Sequence, residues 1–300
     1  MQTERAAYKR FFIDPLLGIV AAVIFGLIRI LPPRFTSALG GWLARTIGPH
    51  LRITERAVRN LQQAFPEKTE TDITVIIGDM WENLGRTAAE YANVSFINVY
   101  DPSGPVEVIG AEYIDLLRDD NKPGIFFSAH IGNWELAPLA TAQRGLILDQ
   151  IYRAANNRMV EWLFKHRQAT ISGELIAKGP QGARQLLKSL QNGRHLGMLV
   201  DQKMNDGIPV PFFGRDAMTA PALAELALRY DCPVVPARVE RLGGMRFRLT
   251  IEPPLEFTPT GDRHTDVAAM MALVNQRLET WIRDTPAQWL WLHNRWPDEQ

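Results

Sequence analysis

Short apolar runs alternate with amphipathic stretches over the C-terminal two thirds of this chain, while the first third is apolar and then helical in period. The runs at 106–109, 124–129, 146–152, 196–200, 233–239 and 247–251 have the length and the β-branched or aromatic content of strands. Between them, a helical period marks 111–118, 134–143, 158–170, 182–192, 221–230 and 265–284. Before them it marks 35–47, 54–65 and 71–91, with breaks at Pro66 and Thr69. Strands alternating with helices predict an α/β fold with a mixed β-sheet flanked by helices. Neither an internal repeat nor a long low-complexity linker divides the chain. The expected organisation is an N-terminal segment over 1–33 and one domain over 34–300, helical to about residue 100.

The N-terminal segment departs from this pattern. Residues 15–28 are apolar on every face, and counting from Phe11 to Leu31 the segment is long enough to reach across a bilayer, with charges only near its ends. It predicts an N-terminal membrane-associated helix. A buried hairpin helix is the alternative, because the strictly uncharged part falls short of the usual ~20 residues. A cleaved secretory signal is disfavoured, since no small-residue cleavage site follows and Arg29, Pro32, Pro33 and Arg34 interrupt the pattern. Lys9 and Arg10 before the segment and Arg29, Arg34 and Arg45 after it leave its orientation open.

Composition narrows the function classes. The chain has 300 residues, 46% of them hydrophobic and 22% charged, enough to bury a substantial core. Its 33 basic and 33 acidic residues cancel, so no global field argues for nucleic acid and any anion site must be local. The single Cys232 excludes an intramolecular disulfide and a multi-cysteine metal site, and its place in Asp231-Cys232-Pro233-Val234-Val235-Pro236 reads as packing at a strand entry. No Gly-x-Ser-x-Gly elbow, His-Glu-x-x-His, P-loop or Gly-x-Gly-x-x-Gly is present, which disfavours the serine hydrolases, zincins and nucleotide enzymes that carry them.

The most informative stretch is Gly124-Ile125-Phe126-Phe127-Ser128-Ala129-His130-Ile131-Gly132-Asn133-Trp134-Glu135. A buried strand ends on a histidine, and Asn133 can cap a helix whose first turn holds Glu135. Across such a turn the carboxylate can meet the imidazole, fix its tautomer and leave the other ring nitrogen as a general base. A loop histidine bonded to backbone is the bland alternative. Arg153, after a run ending Ile151-Tyr152, is placed to hold a phosphate or carboxylate, or is a surface arginine. Asp201-Gln202-Lys203 puts an acid at another strand end, to pair with Arg153 or a substrate group or simply to cap a loop. The segment 178–184 reads as a turn opening a helix, a weak anion signal. The loop Pro211-Phe212-Phe213-Gly214-Arg215 reads either as a wall of an apolar acyl pocket or as a loop folded onto its own core.

These residues resemble a known family. His130-Ile131-Gly132-Asn133-Trp134-Glu135 resembles the HxxxxE signature of the bacterial lipid A late acyltransferases, relatives of the HxxxxD glycerolipid acyltransferases. Arg59-Asn60-Leu61-Gln62-Gln63-Ala64-Phe65-Pro66-Glu67, Trp81-Glu82-Asn83-Leu84-Gly85-Arg86, Tyr152-Arg153, Asp201-Gln202, Pro211-Phe212-Phe213-Gly214 and the end from Pro286 to Trp296 are similar to further blocks of that family, in order. Ala154 stands where many members have proline and Lys203 where some have a second acid, which leaves the acceptor and the acyl chain open.

The resemblance implies a glycerolipid-acyltransferase-like fold and an enzyme of the inner membrane with its catalytic domain on the cytoplasmic side. The implied reaction moves a fatty acyl group from acyl carrier protein, with coenzyme A as the open alternative, to a hydroxyl of a lipid A precursor. It implies His130 as base, Glu135 as its orienting acid, and Arg153 and Asp201 in substrate positioning, with no metal and no cofactor. An acyltransferase acting on a lysophospholipid or another glycolipid is the nearer rival; a non-catalytic membrane lipid-binding protein is the more distant one.

Overall fold

The computed structural model describes residues 14–152, 162, 166, 168 and 170–296. Among the described residues, four helices come first: α1 (Asp14–Ile30), α2 (Pro33–Ile47), α3 (Thr54–Ala64) and α4 (Glu70–Glu90). An α/β portion follows, with strands β1 (Val106–Ile109), β2 (Ile125–Ser128), β3 (Leu148–Tyr152), β4 (Leu175–Ala177), β5 (His195–Leu199), β6 (Lys203–Phe212), β7 (Arg215–Thr219), β8 (Val234–Gly243) and β9 (Arg246–Ile251). Helices α5 (Glu112–Asp119), α6 (Leu136–Gln143), α7 (Pro180–Gln191), α8 (Ala222–Tyr230) and α9 (Arg263–Asp284) alternate with them.

Seven strands form one sheet in the order β1-β9-β8-β2-β5-β3-β4, and β6 and β7 pair separately. Every neighbour in the large sheet runs parallel except β8 and β9, which form an antiparallel pair. The sheet is therefore mixed, as the alternation of runs predicts. Its centre is β2, whose four residues are all buried because helices cover both faces and no polar alternation is needed. One core cluster packs α3, α4, α8 and α9 on one face, including Phe127 and Trp281; the other packs α5 and α6, including Phe126 and Leu136.

The expected 35–47, 54–65 and 71–91 helices become α2, α3 and α4. Helix α4 opens on a reciprocal cap between Thr69 and Asp72. It meets α2 at a contact only glycine allows: a Cβ at Gly85 would lie 2.2 Å from the Gly40 carbonyl oxygen.

Helix α1 is the described part of the expected N-terminal membrane-associated segment. It has 17 residues, about 25 Å at the usual rise, and among the described residues no helix is long and apolar enough to cross a membrane. Gly18 is its only buried residue, while Leu16, Ile19, Val23, Leu27 and Ile30 are all exposed. On α2, Phe35, Leu39, Trp42 and Ile47 add to this uncovered apolar surface.

The expected loop at 211–221 is instead the β6–β7 hairpin. Its two-residue turn is Phe213-Gly214, both at positive φ, as such turns require. Phe212 and Phe213 are buried against Phe65, Trp289, Trp291 and Trp296, so the aromatic loop folds onto its own core and is not a wall of an open pocket.

Candidate active site

Parallel pairing brings the site together. Strands β2 and β5 are neighbours with Ser128 opposite Leu199, and the ladder continues as Val200 N–H donates to the Ser128 carbonyl at 3.1 Å. Two residues beyond that register pair, His130 stands opposite Asp201, and equivalent positions on adjacent strands are within reach of each other's side chains.

His130 Nδ1 lies 2.8 Å from Asp201 Oδ1, and the His130 backbone N–H donates to Asp201 Oδ2, also at 2.8 Å. Trp289 Nε1–H donates to the same Oδ2 at 2.8 Å. Asp201 is fully buried and satisfied by three donors, whereas the His130 side chain keeps 16% of its surface open. Burial alone raises the Asp201 pKa, but the charge and hydrogen bond of His130 outweigh it and carry the carboxyl well below the usual range. An ionised carboxylate at Nδ1 fixes the hydrogen there. Nε2 is then the basic nitrogen.

Asp201 thus occupies the position on Nδ1 that the sequence reading gave to Glu135. Glu135 is itself buried, at the start of α6, with its backbone N–H 3.3 Å from Asn133 Oδ1. Arg153 lies outside the described residues. The strand before it, β3, ends at Tyr152 on the far side of β5 from β2.

Three contacts from residues 288–290 hold the loop after β2 in place. Ile131 forms an isolated antiparallel bridge with Trp289, Leu290 N–H donates to the His130 carbonyl at 3.1 Å, and Gly132 N–H donates to Gln288 at 3.1 Å. Gly132 sits at φ +59°, and a Cβ there would lie 2.1 Å from the Val239 carbonyl oxygen, so the turn requires glycine. Its carbonyl accepts from Asn83 Nδ2 and Thr87 Oγ1, both at 3.1 Å, from helix α4.

Beside this turn lies a buried ion pair. Arg241 on β8 grips Glu90 on α4 through Nη1 at 2.6 Å and Nη2 at 3.0 Å, and its Nε donates to Asn83 Oδ1 at 2.8 Å. Asn133 Nδ2 and Ser37 Oγ complete the Glu90 carboxylate at 2.8 and 2.6 Å. The upstream blocks now have physical reasons. Asn83 clasps the Gly132 turn, and Asn60 clasps the carbonyls of Trp291 and His293 at 2.9 and 2.7 Å.

Sequence reasoning missed the roles of Trp289, Gln202 and His293, although it quoted the blocks that hold them. Gln202 Nε2 lies 3.4 Å from His130 Nε2 and 3.2 Å from His293 Nε2. The rings of Trp134 and His293 stand edge-on to His130 at 5.2 and 5.0 Å. Burial pushes the His293 pKa down to about 4, against the pull of Asp201, so His293 is neutral near pH 7. An apolar hollow of about 50 Å³ beside Trp134 and Ser128 is too small for a fatty acyl chain.

These shifts set the sign of an acid dependence. At both Asp201 and His293 the folded state binds protons more weakly than the unfolded chain, so stability rises with pH and is complete above the unfolded pKa values. It is lost first as pH falls from ~6.5 towards the folded value of His293, then through the carboxylate range near ~3.9. The melting temperature should therefore fall between pH 7 and pH 4, and the His293→Asn variant should show a shallower fall across that window. Identical slopes for the two proteins would rule out the assignment.

A histidine oriented by a buried carboxylate at the carboxyl ends of two parallel strands is an arrangement that can supply a general base. The model for the bacterial lipid A biosynthesis acyltransferases matches residues 6–298, and the chain belongs to that family. Its relatives include the lipid A biosynthesis myristoyltransferase of Escherichia coli strain K12, 24% identical over 270 residues, 88% of this chain and 82% of that one. The lipid A biosynthesis lauroyltransferase of the same strain is 24% identical over 245 residues, 79% and 76% of the two chains. A Haemophilus influenzae lipid A biosynthesis acyltransferase is 23% identical over 301 residues, 97% and 92% of the two chains. Relatives named for different acyl groups are equally distant, so identity does not select a chain length. The crystal structure of the 1-acyl-sn-glycerophosphate acyltransferase of Thermotoga maritima aligns at 13% identity and TM-score 0.36 over 82% of this chain and 96% of that one.

Proposed function

We propose that this O-acyltransferase of lipid A biosynthesis moves a fatty acyl group from an acyl thioester of acyl carrier protein to a hydroxyl of a lipid A precursor. The observation that carries the reading is the His130–Asp201 pair, set at a strand end in a chain matched by the family model over residues 6–298. His130 Nε2 takes the proton of the acceptor hydroxyl as its oxygen attacks the thioester carbonyl. Asp201 holds the imidazole and stabilises its cation. A thiol pKa near ~8.5 makes the thiolate a far better leaving group than an alkoxide, so no covalent acyl-enzyme is required.

Glu135 is the second carboxylate of the proposed site, buried five residues after the base, and Arg153 is proposed to hold an anionic group of a substrate. The uncovered apolar surface of α1 and α2 supports contact with the inner membrane from the cytoplasmic side, where a carrier-protein thioester is available. Incubation of the purified enzyme with acyl carrier protein thioesters and a lipid A precursor should give a precursor one acyl chain heavier by mass spectrometry. Acylation of lysophospholipid alone, with the precursor untouched, would overturn the proposed acceptor.

A further inference from the structure

Two groups in the site have no task in a scheme of base and orienter, the Gln202 amide and the His293 imidazole. The reaction also needs something that scheme lacks. As the hydroxyl adds to the thioester, negative charge develops on the former carbonyl oxygen, and a fixed hydrogen-bond donor there is commonly worth ~10²–10³ in rate.

The geometry of Gln202 meets that need. His130 Nδ1 faces the Asp201 carboxylate, so its Nε2 is a bare acceptor. His293 is half-buried and neutral, with its Nε2 turned to the same amide, while Asn60 pins its main-chain carbonyl. An amide nitrogen has two hydrogens. In the empty enzyme Gln202 therefore donates one to each imidazole, at 3.4 and 3.2 Å, and its plane is set from two sides with the nitrogen facing the reacting region.

We infer that Gln202 is the donor to the thioester carbonyl oxygen and that His293 is the residue positioning it, an inference resting on the acyl-transfer reading above. The acceptor hydroxyl replaces Gln202 at His130 Nε2. The freed N–H turns to the carbonyl oxygen while the other stays on His293. The hydroxyl proton passes to His130 Nε2, the C–O bond forms, and the carbonyl π pair moves onto the oxygen facing Gln202. When that pair returns, the C–S bond breaks and the thiolate takes the proton back from His130, leaving ester, thiol and neutral enzyme.

Steady-state kinetics of Gln202→Met and Gln202→Leu, which keep much of the bulk, remove the donor and add no charge beside His130, test this. Both should lose about 10²–10³ in kcat, with KM for donor and acceptor within roughly threefold and the pH midpoint of the base unmoved. His293→Phe should lose about tenfold, the scale of one modest hydrogen bond, and His293→Gln, which restores an acceptor, should recover most of it. A Gln202→Met enzyme within threefold of wild type in kcat, a loss confined to KM, or a shifted pH midpoint with an unchanged plateau would each overturn the assignment. A wild-type enzyme inactive with every thioester would instead remove the acyl-transfer reading itself. If Gln202→Met fails to fold, judged by its melting temperature, Gln202→Leu is read alone by the same criteria.

Discussion

Asp201→Asn should lower kcat by about 10²–10⁴, the range that a positioned acid–base group contributes. The His130 backbone N–H and the Trp289 indole N–H both donate to Oδ2. An asparagine must put its carbonyl oxygen there, because an amide N–H₂ would face two donors. Its nitrogen then points at His130 Nδ1 and donates to it, which drives the ring hydrogen onto Nε2. The imidazole stays in place with its basic nitrogen blocked. His130→Ala should lose at least as much, and the double variant no more than His130→Ala alone, because the two residues act as a unit. Melting temperature separates this from unfolding. An Asp201→Asn enzyme of normal stability retaining a tenth of wild-type kcat would refute the proposed pairing.

The second large effect is on stability. Arg241→Met leaves the buried Glu90 carboxyl without its bidentate partner, and breaking a buried pair from one side typically costs about 3–5 kcal/mol. At roughly 2–4 °C per kcal/mol for large domains, the melting temperature should drop by about 6–20 °C. Glu90→Gln combined with Arg241→Met should regain part of the loss, since the unpartnered carboxyl is then gone. Activity of Arg241→Met should fall as well, because Asn83 and Asn133 join the same network to the turn that carries His130. A single variant melting within 2 °C of wild type would mean that the pair is replaceable by packing alone.

What was legible in the chain follows from the range of each interaction. The run that became β2 announces itself because all four of its residues are buried, and the run that became β9 because buried positions alternate with open ones. Strand β4 has three residues, too short to register as a run. Strand β6 carries Pro209 and Pro211, which read as breakers; a strand of a two-stranded hairpin tolerates them because it has an unpaired edge. His130 was legible from the abrupt end of its strand. Its partner was not, because Asp201 lies 71 residues away and only the strand order brings the two together. A search confined to local spacing finds Glu135 instead. Asp201 was visible as an acid at a strand end, and the missing piece was that β5 lies next to β2.

The bond from Trp289 to Asp201 also has a consequence for the order in which the enzyme is made. Synthesis proceeds from the N-terminus and folding follows it. Both members of the pair therefore leave the ribosome well before the 286–296 segment that seats the carboxylate, bridges Ile131 and supplies His293. Of the described pieces of the site, this segment arrives last. A nascent chain stalled before Trp289 would carry the base and its acid but not the walls that hold them, and would remain silent towards both substrates until that segment was in place.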